Sequence, residues 1–408
     1  MKQFLKFGVC AAVLSMTMIS GQAFADKGQQ ISRSIGTEMS AAQKALKESK
    51  WQEAIQHLDT ASAKDGLTAF DKKTIYDFKG FAYTRLQNYK AAEQAYEQAM
   101  ATGLYTAEES SRTERMLFRM SVSNQQYAKA LEYGKKVTES GAASADDYAL
   151  MAQTYYLSKE CKNTAVWADK AVAAARRAGE APKEGLFQFK LQCAFDSNDT
   201  PGTISALEDL VRLTGKTDYW NKLLRFDLQD KLDDHNLLMV FRVMYNTGSM
   251  TEGSYYMEMA QLLGDGALPG EAQAVIEKGK TNNVFKDAEK ERTNRLLVST
   301  TTRADADRKG LKQLEAEAAK SAAGELSVKL GEVYFGFGDY QNAVTAITAG
   351  LQKGQVKHLD EAYVYLGLAQ VQLKNNADAK KAFVKLKEIP NINPKILKLW
   401  ELYADKLG

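Results

Sequence analysis

Residues 80–99, GFAYTRLQNYKAAEQAYEQA, contain the spacing that decides the fold. Small and large side chains alternate there at fixed separations, at Gly80, Tyr83, Ala92, Tyr96 and Ala99. Two helices joined by a tight turn approach closely only where each presents a small side chain at the crossing and a bulky neighbour fills the space beside it. The spacing therefore predicts a helical hairpin.

The same spacing returns five more times along the chain. It is clear in the stretches 260–279 and 331–350, and looser copies begin at Ala42, Ala152 and Gly367. Neighbouring copies begin about 34 to 39 residues apart, which is the length of one hairpin in a stacked helical array. Each such hairpin contacts mainly its neighbours, so we expect one elongated repeat domain and not several globular ones.

The residues Leu330, Gly331, Tyr334, Ala343 and Ile347 resemble the signature of the tetratricopeptide (TPR) repeat. The resemblance implies an all-α fold, a right-handed superhelical α-solenoid of about ten TPR-like helical hairpins. We expect this solenoid to cover residues 26–408, with divergent repeats around 217–248 and 286–322. The second of these segments keeps leucines at helical spacing and is expected to form a further helix pair.

Residues 1–25 have the features of a secretory signal peptide. Lys2 and Lys6 precede an apolar run that is too short to span a bilayer, and the segment 23–25, Ala-Phe-Ala, offers a cleavage site before Asp26. We therefore expect a periplasmic protein with no membrane-spanning segment.

In layout the chain is also similar to periplasmic TPR proteins of Gram-negative bacteria, including those associated with TonB systems. Four units carry this similarity. One begins with Tyr219-Trp220, another begins with residues 256–260, and the last two are the Gly331 and Gly367 units. The resemblance implies a protein or peptide partner in the cell envelope, for which a TonB-type complex is one candidate.

Neither the composition nor the scattered polar residues predict a catalytic, cofactor or metal site. The formal net charge is only +3, which argues against general nucleic-acid binding. His57, His235 and His358 have no Cys, Asp or Glu partner at metal-ligand spacing, and no nucleophile, phosphate loop or zinc-protease motif is present. We expect no catalytic residue, no cofactor and no metal site. Five methionines between 239 and 259 could suggest copper, but their spacing favours core packing.

Cys161 and Cys193 are the two cysteines outside the signal segment. They fall at the turn into a second helix and near the end of the next first helix, positions that adjacent hairpins bring together. In an oxidising compartment such a pair is expected to form a disulfide.

The first helices of the hairpins should line a concave groove. Arg112, Arg115 and Arg119 form a stripe on one first helix, with Arg85 at the end of the preceding one. Aromatic residues expected to face the same concavity are Phe81, Tyr156, Phe195, Phe335 and Tyr365. A solvated charged face is the alternative interpretation of the stripe.

The sequence therefore predicts a non-catalytic periplasmic scaffold that binds a peptide or partner protein in its groove. Arginines suit a carboxylate, because the planar guanidinium makes two parallel bonds to it. An envelope factor that grips peptidoglycan or an exported polysaccharide, and assists a partner enzyme, is the alternative.

Overall fold

A computed structural model describes residues 30–229 and 231–408. The expected signal peptide lies outside the described residues. The chain divides into two compact units, one ending at Ala143 and the other beginning at Ser144.

The described residues are helical and contain no strand, which confirms the all-α fold class. The helices of the first unit are α1 Gly36–Lys47, α2 Trp51–Ser62, α3 Ala69–Arg85, α4 Tyr89–Met100, α5 Ala107–Ser123 and α6 Tyr127–Glu139. Those of the second are α7 Ala145–Leu157, α8 Cys161–Arg177, α9 Glu184–Asp196, α10 Thr200–Thr214, α11 Thr217–Asp227, α12 Asp234–Thr247, α13 Gly253–Asp265, α14 Pro269–Thr281, α15 Lys290–Lys320, α16 Glu325–Gly336, α17 Tyr340–Lys353, α18 Leu359–Gln372, α19 Asn376–Val384 and α20 Pro394–Asp405. Short 3-10 turns occupy Arg33–Ile35, Asp287–Glu289 and Lys385–Glu388.

Consecutive helices pack as hairpins. The described part of the chain has three in the first unit (α1–α2, α3–α4 and α5–α6) and five in the second (α7–α8, α9–α10, α13–α14, α16–α17 and α18–α19). The spacing of small and large residues reflects the close approach of the two helices of a hairpin. A Cβ on Gly80 would lie only 2.7 Å from the ring of Tyr96. α11 and α12 make a looser pair where a divergent repeat was expected.

Every one of these eight hairpins turns through a residue with left-handed backbone. These residues are Ser49, Gln87, Gln125, Lys159, Asn198, Ala267, Gly338 and Lys374. The next backbone N–H bonds back to a carbonyl five residues earlier, as from Asn88 to Tyr83 at 2.9 Å, which closes the end of the first helix. Only one of the eight is a glycine, so composition does not reveal this turn.

The expected helix pair at 286–322 is wrong. Residues 290–320 form the single helix α15. The segment contains no proline, and its one glycine, Gly310, costs only about 1 kcal/mol in a helix interior. Without a breaker or a turn residue, the helix continues.

The second unit also makes contacts between hairpins that are not neighbours. α20 packs against α10 and α12, where Arg212 of α10 pairs with Asp405 of α20 at 3.1 Å. The contacts of α20 with α10 and α12 depart from a simple repeat array. On its other side α20 packs against the preceding helix, where the fully buried Trp400 stacks on Phe383 of α19, with ring centroids 5.1 Å apart.

Candidate functional site

A cleft of about 270 Å³ lies in the second unit. It is lined by parts of α12, α14, α15, α16, α17 and α18, namely by Tyr245, Asn246, Gly270, Glu271, Gln273, Ala274, Glu277, Arg308, Phe335, Gly336, Phe337, Gly338, Tyr340 and Gln372. Of the groove residues expected from the sequence, Phe335 alone belongs to this lining.

The cleft forms where the end of α16 meets the first turn of α14. A Cβ on Gly336 would lie 2.7 Å from the backbone nitrogen of Glu271, and a Cβ on Gly270 would lie equally close to the ring of Phe337. Glycine at both positions therefore allows the two backbones to meet directly.

Aromatic rings and the guanidinium of Arg308 line the cleft, and Lys278 lies next to it, against the ring of Tyr245. Phe335 packs edge-to-face on Tyr340, at 5.4 Å between centroids. The guanidinium of Arg308 lies 4.6 Å from the ring of Phe337, and Nζ of Lys278 lies 3.7 Å from the ring of Tyr245. Burial lowers the pKa of Lys278. Such walls offer both apolar surface and cation–π contacts.

A buried charged cluster adjoins the cleft through Glu271, which also lines the cleft. Arg242 of α12 is 1% exposed and donates from Nη1 to Oε1 of Glu361 at 2.9 Å. Its Nη2 lies 3.5 Å from Oε2 of Glu271 and donates to the hydroxyl of Tyr365, which in turn donates to Glu271. Burial acts to lower the pKa of Arg242, but Tyr365, Glu271 and Glu361 outweigh it and raise the pKa. The cluster thus keeps a charged guanidinium in the interior.

Glu332 of α16 is buried close to this cluster. Burial raises its pKa to about 7, and the charge of Glu361 adds to the effect, while Lys329 and Arg242 oppose it. Nζ of Lys329 lies 3.5 Å from its Oε2.

The cleft contains a polar atom that needs a partner. Oε1 of Gln273 is buried and has no hydrogen-bond partner among the described residues, although Nε2 of the same side chain donates to Glu277 at 2.8 Å. A buried acceptor without a donor costs about 1–3 kcal/mol, so a rotation of the Gln273 side chain that brings this oxygen to a ligand N–H or O–H in the cleft would be favourable.

The groove residues expected in the first unit occupy two helices. On α3, Phe81 packs edge-to-face on Trp51 at 5.8 Å, and the guanidinium of Arg85 lies 5.1 Å from the same tryptophan. On α5, Arg112 and Arg119 are exposed, and Nη2 of Arg115 donates to the carbonyl of Ala142 at 3.2 Å. A role of these residues in binding stays a prediction.

The expected groove residues of the second unit separate into different environments. Tyr156 stacks on Phe189 at 4.6 Å, and Phe195 is 66% exposed. Tyr365 is fully buried, so its placement on a groove surface is wrong. The sequence pattern put it on the open face of a first helix, but Arg242 of α12 covers that face.

Arg242 and Glu271 carry no signal in the sequence. Each looks like an ordinary polar residue of an amphipathic helix, and the partners of Arg242 are 29 and 119 residues away. Only the packing of non-neighbouring helices brings them together.

Cys161, the first residue of α8, and Cys193 of α9 form a disulfide, with Cα atoms 5.3 Å apart. This is the pairing that the sequence predicted. The methionines at 239, 244, 250, 257 and 259 are buried, as core packing requires.

The histidines are not all isolated, contrary to the expectation. His235 and His358 lie with ring centroids 5.2 Å apart, next to Asp360. His57 pairs with Glu38 in the first unit, at 2.7 Å. Because His235 and His358 are far apart in sequence, spacing could not reveal the group.

Residues 74–101, which span most of α3 and all of α4, match the model of the tetratricopeptide repeat family. The chain contains a tetratricopeptide repeat. This match coincides with the hairpin that shows the fullest spacing of small and large residues. A search of curated protein sequences finds no match.

Several solved structures are similar in part. The Naa15/Naa10 complex bound to HypK-THB aligns with 14% identity over 88% of this chain and 59% of that chain, at a TM-score of 0.40. MamA (41-end) from Desulfovibrio magneticus RS-1 aligns with 14% identity over 45% and 97%, at 0.33. A tetratricopeptide repeat protein from Parabacteroides merdae ATCC 43184 aligns with 11% identity over 83% and 100%, at 0.29. All three scores are below 0.5, and the fold assignment rests on the hairpins themselves.

Within residues 30–229 and 231–408, no helix has the length and apolar character needed to cross a membrane.

Proposed function

We propose that this protein is a non-catalytic adaptor of the bacterial cell envelope that binds a segment of a partner protein. Repeated helical hairpins commonly present extended surfaces for binding other proteins. The signal-peptide features of residues 1–25 and the Cys161–Cys193 disulfide support an oxidising, periplasmic location. A TonB-type complex is one candidate for the partner.

The observation that carries the proposal is the cleft with its unpartnered acceptor at Gln273. A peptide segment has backbone N–H groups that can donate to this atom, and apolar side chains that can pack on Phe335, Phe337 and Tyr340. Glu277 is exposed at the same surface and would favour a peptide that carries a Lys or Arg side chain.

A second candidate ligand is a glycan, and the aromatic residues favour it. Tyr245, Phe335, Phe337 and Tyr340 line the cleft beside the amides of Asn246 and Gln372. Sugars also supply hydroxyl donors for Gln273. The experiment therefore has to distinguish a bound protein from a bound glycan.

Site-specific photo-crosslinking in periplasm tests the proposal. A photoreactive residue is placed in turn at Ala274, an exposed residue that lines the cleft, at Arg119 in the arginine stripe, and at Val298, which is 67% exposed on α15 and serves as control. We expect a discrete protein adduct from position 274 and none from 298. An adduct from 119 alone would move the site to the first unit, and an adduct that a muramidase removes would identify the glycan. Equal adducts at all three positions would contradict a specific site.

The identified partner then allows a quantitative comparison. Gln273→Ala removes the unpartnered acceptor and should weaken binding about tenfold, which corresponds to one hydrogen bond to a buried group. Gln313→Ala is the matched control, because Gln313 makes the same bond to a glutamate four residues on, at 2.9 Å, on the exposed face of α15. Equal affinities of the two variants would remove Gln273 from the site.

A further inference from the structure

We propose that His235, His358 and Asp360 form a binding site for a divalent transition-metal ion of the zinc and copper type. One ligand atom from each side chain lies within 4.8 Å of those of the other two. The residues come from the first turn of α12 and from the start of α18. Such an ion would join two helices whose ligands are 125 residues apart in sequence.

The donor set decides the class of ion. Two imidazole nitrogens and one carboxylate oxygen are typical of Zn²⁺, Cu²⁺, Ni²⁺ and Fe²⁺ sites, whereas Mg²⁺ and Ca²⁺ prefer oxygen donors alone. Three protein ligands leave at least one position open for water or another ligand.

The distances need only a small adjustment. Zinc binds imidazole nitrogen at about 2.0–2.1 Å, so two ligands of a tetrahedral site lie roughly 3.3 Å apart. Nε2 of His235 lies 2.7 Å from Oδ2 of Asp360, so this pair would lengthen slightly on binding an ion. His358 is exposed, and its ligand nitrogen lies within 4.8 Å of the other two ligand atoms, so a change of its side-chain rotamer has to shorten these distances by at most ~1.5 Å.

The carboxylate is held in an orientation that suits an ion. Oδ1 of Asp360 accepts the backbone N–H of Glu361 at 3.0 Å, which leaves Oδ2 directed at His235. Hydrogen bonds of this kind to the second carboxylate oxygen commonly orient metal ligands.

The two helices are also fixed relative to each other. Arg242 lies two turns after His235 on α12, and it donates to Glu361, the residue next to Asp360, at 2.9 Å. Because Arg242 is fully buried, this second link keeps the ligand-bearing ends of α12 and α18 together without an ion. The site is therefore largely preformed.

The helix N-termini alone would disfavour a cation, because the positive end of each helix dipole repels it at short range. Acidic residues in both first turns offset this effect, at Asp234 in α12 and at Asp360 and Glu361 in α18. Direct coordination by two imidazoles and a carboxylate is stronger than either contribution.

Zinc titration of the full chain without a histidine tag tests the site. We expect one Zn²⁺ per chain by calorimetry, displaced by Cu²⁺ but not by millimolar Mg²⁺. His358→Ala should weaken binding at least about tenfold, and Asp360→Asn should do the same. X-ray absorption of the zinc-loaded protein should show two imidazole ligands.

His57→Ala is the matched control. His57 also lies 2.7 Å from a carboxylate oxygen, on Glu38, but it is not part of a group of three potential ligands among the described residues. Its replacement should leave zinc affinity unchanged. Zinc should also raise the melting temperature of the wild type and of this control but not of His358→Ala, because only a folded site that binds the ion is stabilised.

Two results would overturn the proposal. One is equal zinc affinity of the wild type and His358→Ala. The other is no binding to the wild type at 100 µM zinc, about the upper end of a useful affinity. The His235–Asp360 contact would then be an ion pair alone. An equal loss of affinity in His57→Ala would have the same consequence, since the ion would then bind histidines without regard to the site.

Discussion

Arg242 of α12 donates to Glu361 of α18 at 2.9 Å, across a buried contact between helices that are far apart in the chain. The same guanidinium lies 3.5 Å from Glu271, which lines the cleft. The contact with Glu361 holds the start of α18 beside His235. The fixed relation between α12 and α18 is therefore common to both proposed sites.

Replacement of Arg242 should destabilise the second unit strongly. Arg242→Met leaves the carboxylates of Glu271 and Glu361 buried without their cation, which typically costs about 3–5 kcal/mol. Arg225→Met is the control, because its ion pair with Glu252 is about half exposed and should be worth less than about 1 kcal/mol. Urea unfolding measures both free energies, and similar losses in the two variants would refute the buried cluster as a structural element.

Glu332 should make stability depend on pH. Burial raises its pKa to about 7 in the folded protein, above the ordinary value of 4.5, so folding favours the protonated form. The contribution of this group to stability is full below about pH 4.5 and is lost as the pH rises to about 7. Glu332→Gln should therefore raise the free energy of unfolding at pH 8, by at most about 3 kcal/mol, and have little effect at pH 4.5.

The control for Glu332 is Glu258→Gln, at an exposed position of α13. Its effect should be small and similar at both pH values. A Glu332→Gln variant with the same effect at pH 4.5 and pH 8 would show that this carboxyl group does not titrate between them.

Glycine at the left-handed position of a hairpin turn should stabilise the first unit. Gln87 has a φ of 58°, a left-handed conformation that is unfavourable for a residue with a Cβ. Gln87→Gly should raise the free energy of unfolding of the first unit by up to about 1 kcal/mol. The neighbouring Leu86, with a φ of –82°, gives the control, because Leu86→Gly should destabilise. Thermal melts with the opposite order would contradict the turn assignment.

Loss of the disulfide should destabilise the second unit. Cys161 and Cys193 are separated by 32 residues, and closing a loop of that length stabilises by about 3–4 kcal/mol in the chain-entropy model. The variant Cys161→Ser/Cys193→Ser should lose a similar free energy of unfolding. Mass spectrometry of the protein exported to periplasm should find the two cysteines linked, and free thiols there would contradict both the bridge and the proposed location.

The sequence alone determined the elements whose contacts are local. Gly80 and Tyr96 are 16 residues apart, within one hairpin, so their spacing directly records the helix crossing. Cys161 and Cys193 lie in adjacent hairpins, so counting residues was enough to pair them. The sequence does not predict the continuous helix α15, because leucine spacing locates a helical face but does not by itself mark where a helix turns.

The tertiary structure decided what depends on contacts between distant hairpins. Tyr365 has the sequence environment of a groove residue, yet α12 covers it. The meeting of His235 with Asp360 across 125 residues follows from the same packing. The period of hydrophobic residues determines which face of a helix is buried. It contains no information on which distant helix will cover that face, because this depends on how small rotations between successive hairpins accumulate along the chain.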